Sequence, residues 1–110
     1  MKDEFSGPFV GVMVIQLKIP NSLSLKDRRQ VVRSLLEKAR SRFNVSVADL
    51  GPDGSHQDAF LAFSAVSPSS SSAEERIASL ERLIRTMEDS GDFFVVRETR
   101  EVERNAGFSD

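Results

Sequence analysis

Lys26, Arg29, Arg33 and Arg40 recur at spacings of three, four and seven residues, which on a helix turning once in about 3.6 residues sets four cations along one flank. Cations so arranged contact phosphates, and such contacts give salt-dependent, largely sequence-independent affinity for RNA or DNA. A merely solvated helix face would carry the same residues, with Arg33 and Glu37 forming an i,i+4 ion pair worth about 0.2–0.5 kcal/mol. Arg28 joins them as a candidate nucleic-acid contact, but it shares the side of Val32 and Leu35, where a guanidinium must either snorkel to solvent or meet a carboxylate. Its place in the first helical turn favours snorkelling past the edge of the sheet.

Other chemistries find little support. The chain has no Cys and one His, which removes disulfides, thiolate metal sites and cysteine nucleophiles and leaves little imidazole for zinc or acid–base work. His56 lies in a Gly/Pro/Asp turn near Asp53 and Asp58, the setting of a surface histidine rather than a metal or catalytic pair. Base stacking on a sheet requires aromatics on a shared face, whereas Phe60 and Phe63 differ by an odd number and face opposite ways. The turn Ile19-Pro20-Asn21-Ser22 has neither the glycine-rich loop nor the Arg of an acylphosphatase phosphate cradle, and Gly11 is a strand glycine, not a dinucleotide fingerprint. No catalytic residue, metal ligand or cofactor is expected, and the chain reads as non-enzymatic.

The cations are positioned by one amphipathic helix. Ser24 is its N-cap, with Asp27 in the first turn as a weaker version of the capping box, and Leu25, Val32, Leu35, Leu36, Ala39 and Phe43 form the packing face. Between Ser24 and Phe43, seven basic residues (26, 28, 29, 33, 38, 40 and 42) stand against Asp27 and Glu37, a local charge of +5 in a chain of net charge -2. Residues 44–73 hold three acids and no Lys or Arg, and residues 74–110 hold ten acids and six bases. At 110 residues and 39% apolar content the chain has the size and composition of one soluble domain. No apolar run approaches the roughly 20 residues that cross a bilayer, and residues 1–8 lack the apolar stretch of a signal peptide. A cytoplasmic location without membrane contact is expected.

Taken in order, residues 1–8 read as a flexible tail and 9–19 as a strand apolar on both faces, with Val10, Val12 and Val14 opposite Met13, Ile15 and Leu17. The helix follows, then a short strand over 44–50, turn chemistry over 51–57 and a second doubly apolar strand over 58–67. The Pro68-to-Ser72 run reads as a flexible linker, and Ser72-Ala73-Glu74-Glu75 as the capping box of a helix with Ile77, Leu80, Leu83, Ile84 and Met87 on one face. Residues 93–103 form a charged, edge-type strand and 104–110 a loose tail, so that 9–103 is a single domain. The order β-α-β-β-α-β predicts an α+β, ferredoxin-like split βαβ fold with antiparallel sheet order 4-1-3-2 and two helices on one face.

The segments Ser24-Leu25-Lys26-Asp27-Arg28-Arg29 and Phe43-Asn44-Val45-Ser46-Val47-Ala48, on either side of the helix, resemble the YlxP-like family of small bacterial proteins of unknown biochemical function. The resemblance covers about residues 9–103. It implies a ferredoxin-like fold, and in many bacteria genes lying among those for translation initiation and ribosome maturation; it implies no catalytic residues. Relatives commonly open the third strand near a Trp, where this chain has Ser55-His56-Gln57.

Two expectations follow. The leading one is an accessory module docking its basic helix on RNA or a ribonucleoprotein such as the ribosomal particle. The alternative is a self-associating regulatory or small-ligand-binding domain, a homodimer through the open sheet face with Val10, Val12 and Val14, or their opposite-face counterparts, in the interface.

Overall fold

The computed structural model describes residues 7–108; most of the expected N-terminal tail and the last two residues lie outside them. The elements are β1 (Phe9–Lys18), α1 (Leu25–Phe43), β2 (Ser46–Asp49), β3 (Asp58–Ser67), α2 (Ser70–Glu88) and β4 (Phe94–Arg104). The fold is α+β. Its four strands form one antiparallel sheet in the order β2-β3-β1-β4, which counted from the other edge is 4-1-3-2.

Alternation of side chains along a strand decides the layers. Met13, Ile15 and Leu17 of β1 and Ala59, Leu61, Phe63 and Ala65 of β3 point to one face, where they form a single core with Val32, Leu35 and Ala39 of α1 and Ile77, Leu80, Leu83 and Ile84 of α2. Gly11 lies on this face beneath α2: a Cβ there would stand 2.9 Å from Ile77 Cγ1, so the glycine permits the contact. The opposite face carries Val10, Val12 and Val14, which are half-buried by their neighbours and covered by no helix.

Several local expectations are corrected. The helix α2 begins at Ser70, with Ser69 as N-cap accepting from the Ser72 N–H at 3.2 Å, so the serine run is mostly helix and not linker. Ser72 is one turn inside, where its Oγ accepts at 2.6 Å from Ser67 Oγ, satisfying a hydroxyl on a residue only 2% exposed. β2 is four residues long, because Asn44 closes α1 in the left-handed region at φ 51°. β4 continues to Arg104, one residue into the expected tail, and carries a bulge opposite Gln16/Leu17. Leu25, placed on the packing face by periodicity, is 51% exposed, since it precedes the part of α1 that lies over the sheet.

Candidate nucleic-acid interface

Local chemistry sets the start of α1. Ser24 Oγ accepts from the Asp27 N–H at 3.0 Å, and the Asp27 carboxylate accepts from the Leu23 N–H at 2.9 Å, so two donors at the helix entrance are satisfied reciprocally. With the entrance fixed and Val32, Leu35 and Ala39 buried, the orientation of every other side chain on the helix follows.

Arg28 is the exception among the five candidate contacts, and snorkelling is corrected. Its residue is 9% exposed and points inward. Nη1 and Nη2 donate to the two carboxylate oxygens of Asp49 at 2.8 and 3.0 Å, Nε donates to the Asp58 carbonyl at 2.7 Å, and Nη2 also reaches the Gly51 carbonyl at 3.2 Å. The bidentate geometry is the strong form of such a pair. Hydrogen bonding to Arg28, reinforced by the Gly51 N–H at 2.9 Å, holds the Asp49 carboxyl below the usual carboxylate range against the opposing effect of burial. Gly51 supplies this N–H and the carbonyl that accepts from Phe60 at 2.7 Å at a φ of 95°, a conformation that glycine adopts without penalty. Arg28 therefore ties α1 to the end of β2 and to the loop before β3. With four of its five donors committed inside the fold, it does not share the exposed flank of the other four cations.

Lys26, Arg29, Arg33 and Arg40 are all exposed. Among the described residues, none of their side chains has an ion pair or hydrogen bond, and the Arg33–Glu37 pair anticipated from spacing does not form. The arginines of α2 differ: Arg76 donates to the Val66 carbonyl at 3.2 Å, Arg82 meets Glu75 at 3.2 Å, and Arg85 meets Glu88 and Glu98 at 3.2 and 3.0 Å. Helix electrostatics sharpens the contrast. Arg40 lies in the last turn of α1, where a cation is favoured by the macrodipole, but Lys26 and Arg29 stand near the N-terminus, where it is disfavoured.

Arg29 and Arg33 form a ridge between two shallow grooves. One, of about 260 Å³, runs between α1 and edge strand β2, with Val32, Leu36 and Val47 at its base and Arg40 further along. The other, of about 420 Å³, lies on the outer flank with Lys26, Gln30 and Ser34. Another cleft, of about 520 Å³, lies between α2 and β4 and is lined by Glu74, Glu75, Glu101 and Arg100; its acidic lining repels phosphate.

A family model described as a protein of unknown function, DUF503, matches residues 10–97. The chain belongs to the DUF503 family. No curated protein sequence matches it. Among solved structures, this DUF503 chain is similar to a C-terminal segment of the alpha subunit of aIF2 from Pyrococcus abyssi, at 14% identity and TM-score 0.43, over 90% of this chain and 51% of that one. It is also similar to the intact alpha subunit of aIF2 from Pyrococcus abyssi, at 14% identity and TM-score 0.46, over 84% and 34% of the two chains. A third likeness is to the C-terminal domain of the MgtC protein from Mycobacterium tuberculosis, at 16% identity and TM-score 0.37, over 99% and 100%. The chain thus spans about half of the first aIF2 structure and a third of the second, and at these identities and TM-scores the likenesses assign no function.

For this member of the DUF503 family, sequence spacing grouped Lys26, Arg29, Arg33 and Arg40 as the structure does. It missed Asp49, the carboxylate that draws Arg28 inward, away from the exposed flank. The available signal was that Asp49 is the lone acid of the short second strand, 21 residues from Arg28. Among the described residues no cluster of His, Cys, Asp or Glu could hold a metal, and no helix is long and apolar enough to cross a membrane.

Proposed function

We propose that this protein is a non-enzymatic accessory module, built as a ferredoxin-like split βαβ fold, that docks the basic flank of α1 on the phosphates of RNA or of a ribonucleoprotein such as the ribosomal particle. One observation carries the reading: Lys26, Arg29, Arg33 and Arg40 are exposed and unpaired among the described residues, while the arginines of α2 are spent on internal partners. Cations kept for solubility or helix stability have no reason to crowd the positive end of the helix, as Lys26 and Arg29 do. Cations kept for a polyanion do, because each phosphate neutralised releases bound counterions. The resemblance to YlxP-like proteins, with their translation-linked gene neighbourhoods, supports a ribosomal partner in particular.

Replacing Arg29, Arg33 and Arg40 together by Gln tests the reading. Gln is nearly as good a helix former as Arg, so the fold is retained. Binding to an RNA oligonucleotide and co-sedimentation with ribosomal particles should weaken. The log–log salt slope should flatten by about 0.7 to 0.9 for each phosphate that is no longer neutralised, and Lys26→Gln should act in the same direction. Wild-type protein that ignores RNA and ribosomal particles at low salt, or a triple variant with an unchanged slope, overturns the proposal.

A further inference from the structure

We infer that the sheet face left open by the helices is the seat of a second copy of this chain, stacked with its strands antiparallel to the first about a twofold axis that crosses β1 between Val12 and Val14. The inference stands on a surface separate from the α1 flank and does not depend on its role.

The register defines the face row by row. From β4 through β1 to β3, the rows are Glu103, Val10 and Val66; then Glu101, Val12 and Ser64; then Thr99, Val14 and Ala62; then Arg97, Gln16 and Phe60. The middle of the face is thus aliphatic and small, with the large apolar residues Val66 and Phe60 at its two ends, Val66 being 62% exposed. In these four rows charge sits along the β4 side and is polar lengthwise, with acid at the Val10 end and Arg97 at the other; beyond Gln16 the next row, Phe94, Lys18 and Asp58, carries a Lys18–Asp58 ion pair satisfied within the chain. Arg97 spends Nε on Gln16 Oε1 at 2.7 Å, leaving both terminal nitrogens for a partner. Glu101 and Glu103 have no ion pair or hydrogen bond among the described residues.

Sheets pack face to face about 10 Å apart with strands within about 30° of alignment. Rotation about an axis in the plane between the sheets and across the strands exchanges the first row with the fourth and the second with the third. Glu103 then meets Arg97 of the second copy, Val66 meets Phe60, and Val12 meets Val14. Glu101 falls on Thr99 and Val10 on Gln16, so both acid corners gain a cation and no carboxylate is laid on aliphatic surface. An axis running along the strands instead keeps each row against itself, whether β4 falls over β1, β3 or β2, so Glu103 never meets Arg97, and over β1 or β3 it lies on Val10 or Val66 without a cation. Charge complementarity therefore selects the first arrangement.

The area suffices for a modest dimer. Ten residues of β1 span about 34 Å and four strands about 19 Å at ordinary β spacings. Allowing for the short β2, each copy contributes on the order of 500 Å², and the pair roughly 1,000 Å², the lower bound of specific interfaces. Association in the micromolar range is expected. Both α1 flanks remain on the outside of the pair.

Analytical ultracentrifugation of the full chain tests this, with circular dichroism reporting the fold of each variant. Wild-type protein should dimerise at micromolar concentration. Glu103→Arg and Arg97→Glu should each weaken dimerisation at least about tenfold, and the double charge exchange should recover most of it. Val12→Glu should give a folded monomer. A wild-type chain that is monomeric at high micromolar concentration overturns the inference, whatever its affinity for RNA, as does a dimer that Val12→Glu leaves intact or that the double exchange fails to restore.

Discussion

The guanidinium of Arg28 and the carboxylate of Asp49 lie in a bidentate pair, Nη1–Oδ2 at 2.8 Å and Nη2–Oδ1 at 3.0 Å, joining the first turn of α1 to the end of the shortest strand. Removing one partner strands the other. Asp49→Asn should cost about 2–3 kcal/mol in urea unfolding, less than the loss from a fully buried pair because the Asp49 side chain is 36% exposed. Arg28→Met combined with Asp49→Asn should cost less than the sum of the single changes. Purely additive losses would show that the pair is not coupled.

The same pair shapes the acid limb of stability. Hydrogen bonding to Arg28 lowers the Asp49 pKa below its unfolded value, so its contribution is complete above the ordinary Asp range and is lost as pH falls through the folded value. Glu98 acts oppositely: desolvation, then its hydrogen bond with Glu81, raises its pKa, so it costs stability at neutral pH and the cost lifts as pH falls through that raised value. Urea midpoints against pH should therefore fall less on the acid side in Asp49→Asn, what remains including Asp58, whose carboxyl is held low by Lys18 and Ser55. In Glu98→Gln they should lose the gain seen on first acidifying from neutrality. Unchanged profiles in both variants would refute the assignment.

Ser69, not Ser72, caps α2. Ser69→Ala should cost about 1 kcal/mol, with Ser69→Asp close to wild type. Ser72→Ala should cost about 1–3 kcal/mol for a different reason, because it leaves the buried Ser67 hydroxyl without its acceptor. An Asp at 72 that stabilises the protein as a cap does would contradict this placement.

Gly11 is held by the approach of α2. A Cβ at this position meets Ile77 at 2.9 Å, and Ile77 is 2% exposed with little room to retreat. Gly11→Ala should destabilise by about 1–3 kcal/mol, although alanine has the conformational entropy advantage. Trimming Ile77 to Val in the same chain should recover part of that destabilisation; no recovery would place the strain elsewhere.

Element order, the two doubly apolar strands and the basic flank of α1 were legible in the sequence because each is periodic. Hydrophobic residues two apart mark Met13, Ile15 and Leu17 as one strand face, and residues three and four apart mark Val32, Leu35, Ala39 and the flanking cations as adjacent sides of one helix. Turn and cap chemistry is local as well, and it placed Ser24 at the start of α1. Where several residues compete for one local role the sequence is degenerate: any of four consecutive serines can cap, and the choice of Ser69 rests on Ser72 being drawn to Ser67 across the end of β3.

Tertiary structure alone decided the fate of Arg28. Its partners Asp49, Gly51 and Asp58 lie 21, 23 and 30 residues away, and no periodicity carries information over such a distance. The same holds for the open sheet face. Val10, Val12 and Val14 can be seen to share a side of one strand from the sequence, but the row that pairs Val10 with Glu103 and Gln16 with Arg97 depends on the register between the first and last strands. A shift of one residue, or a different bulge, would turn those charges to the other face.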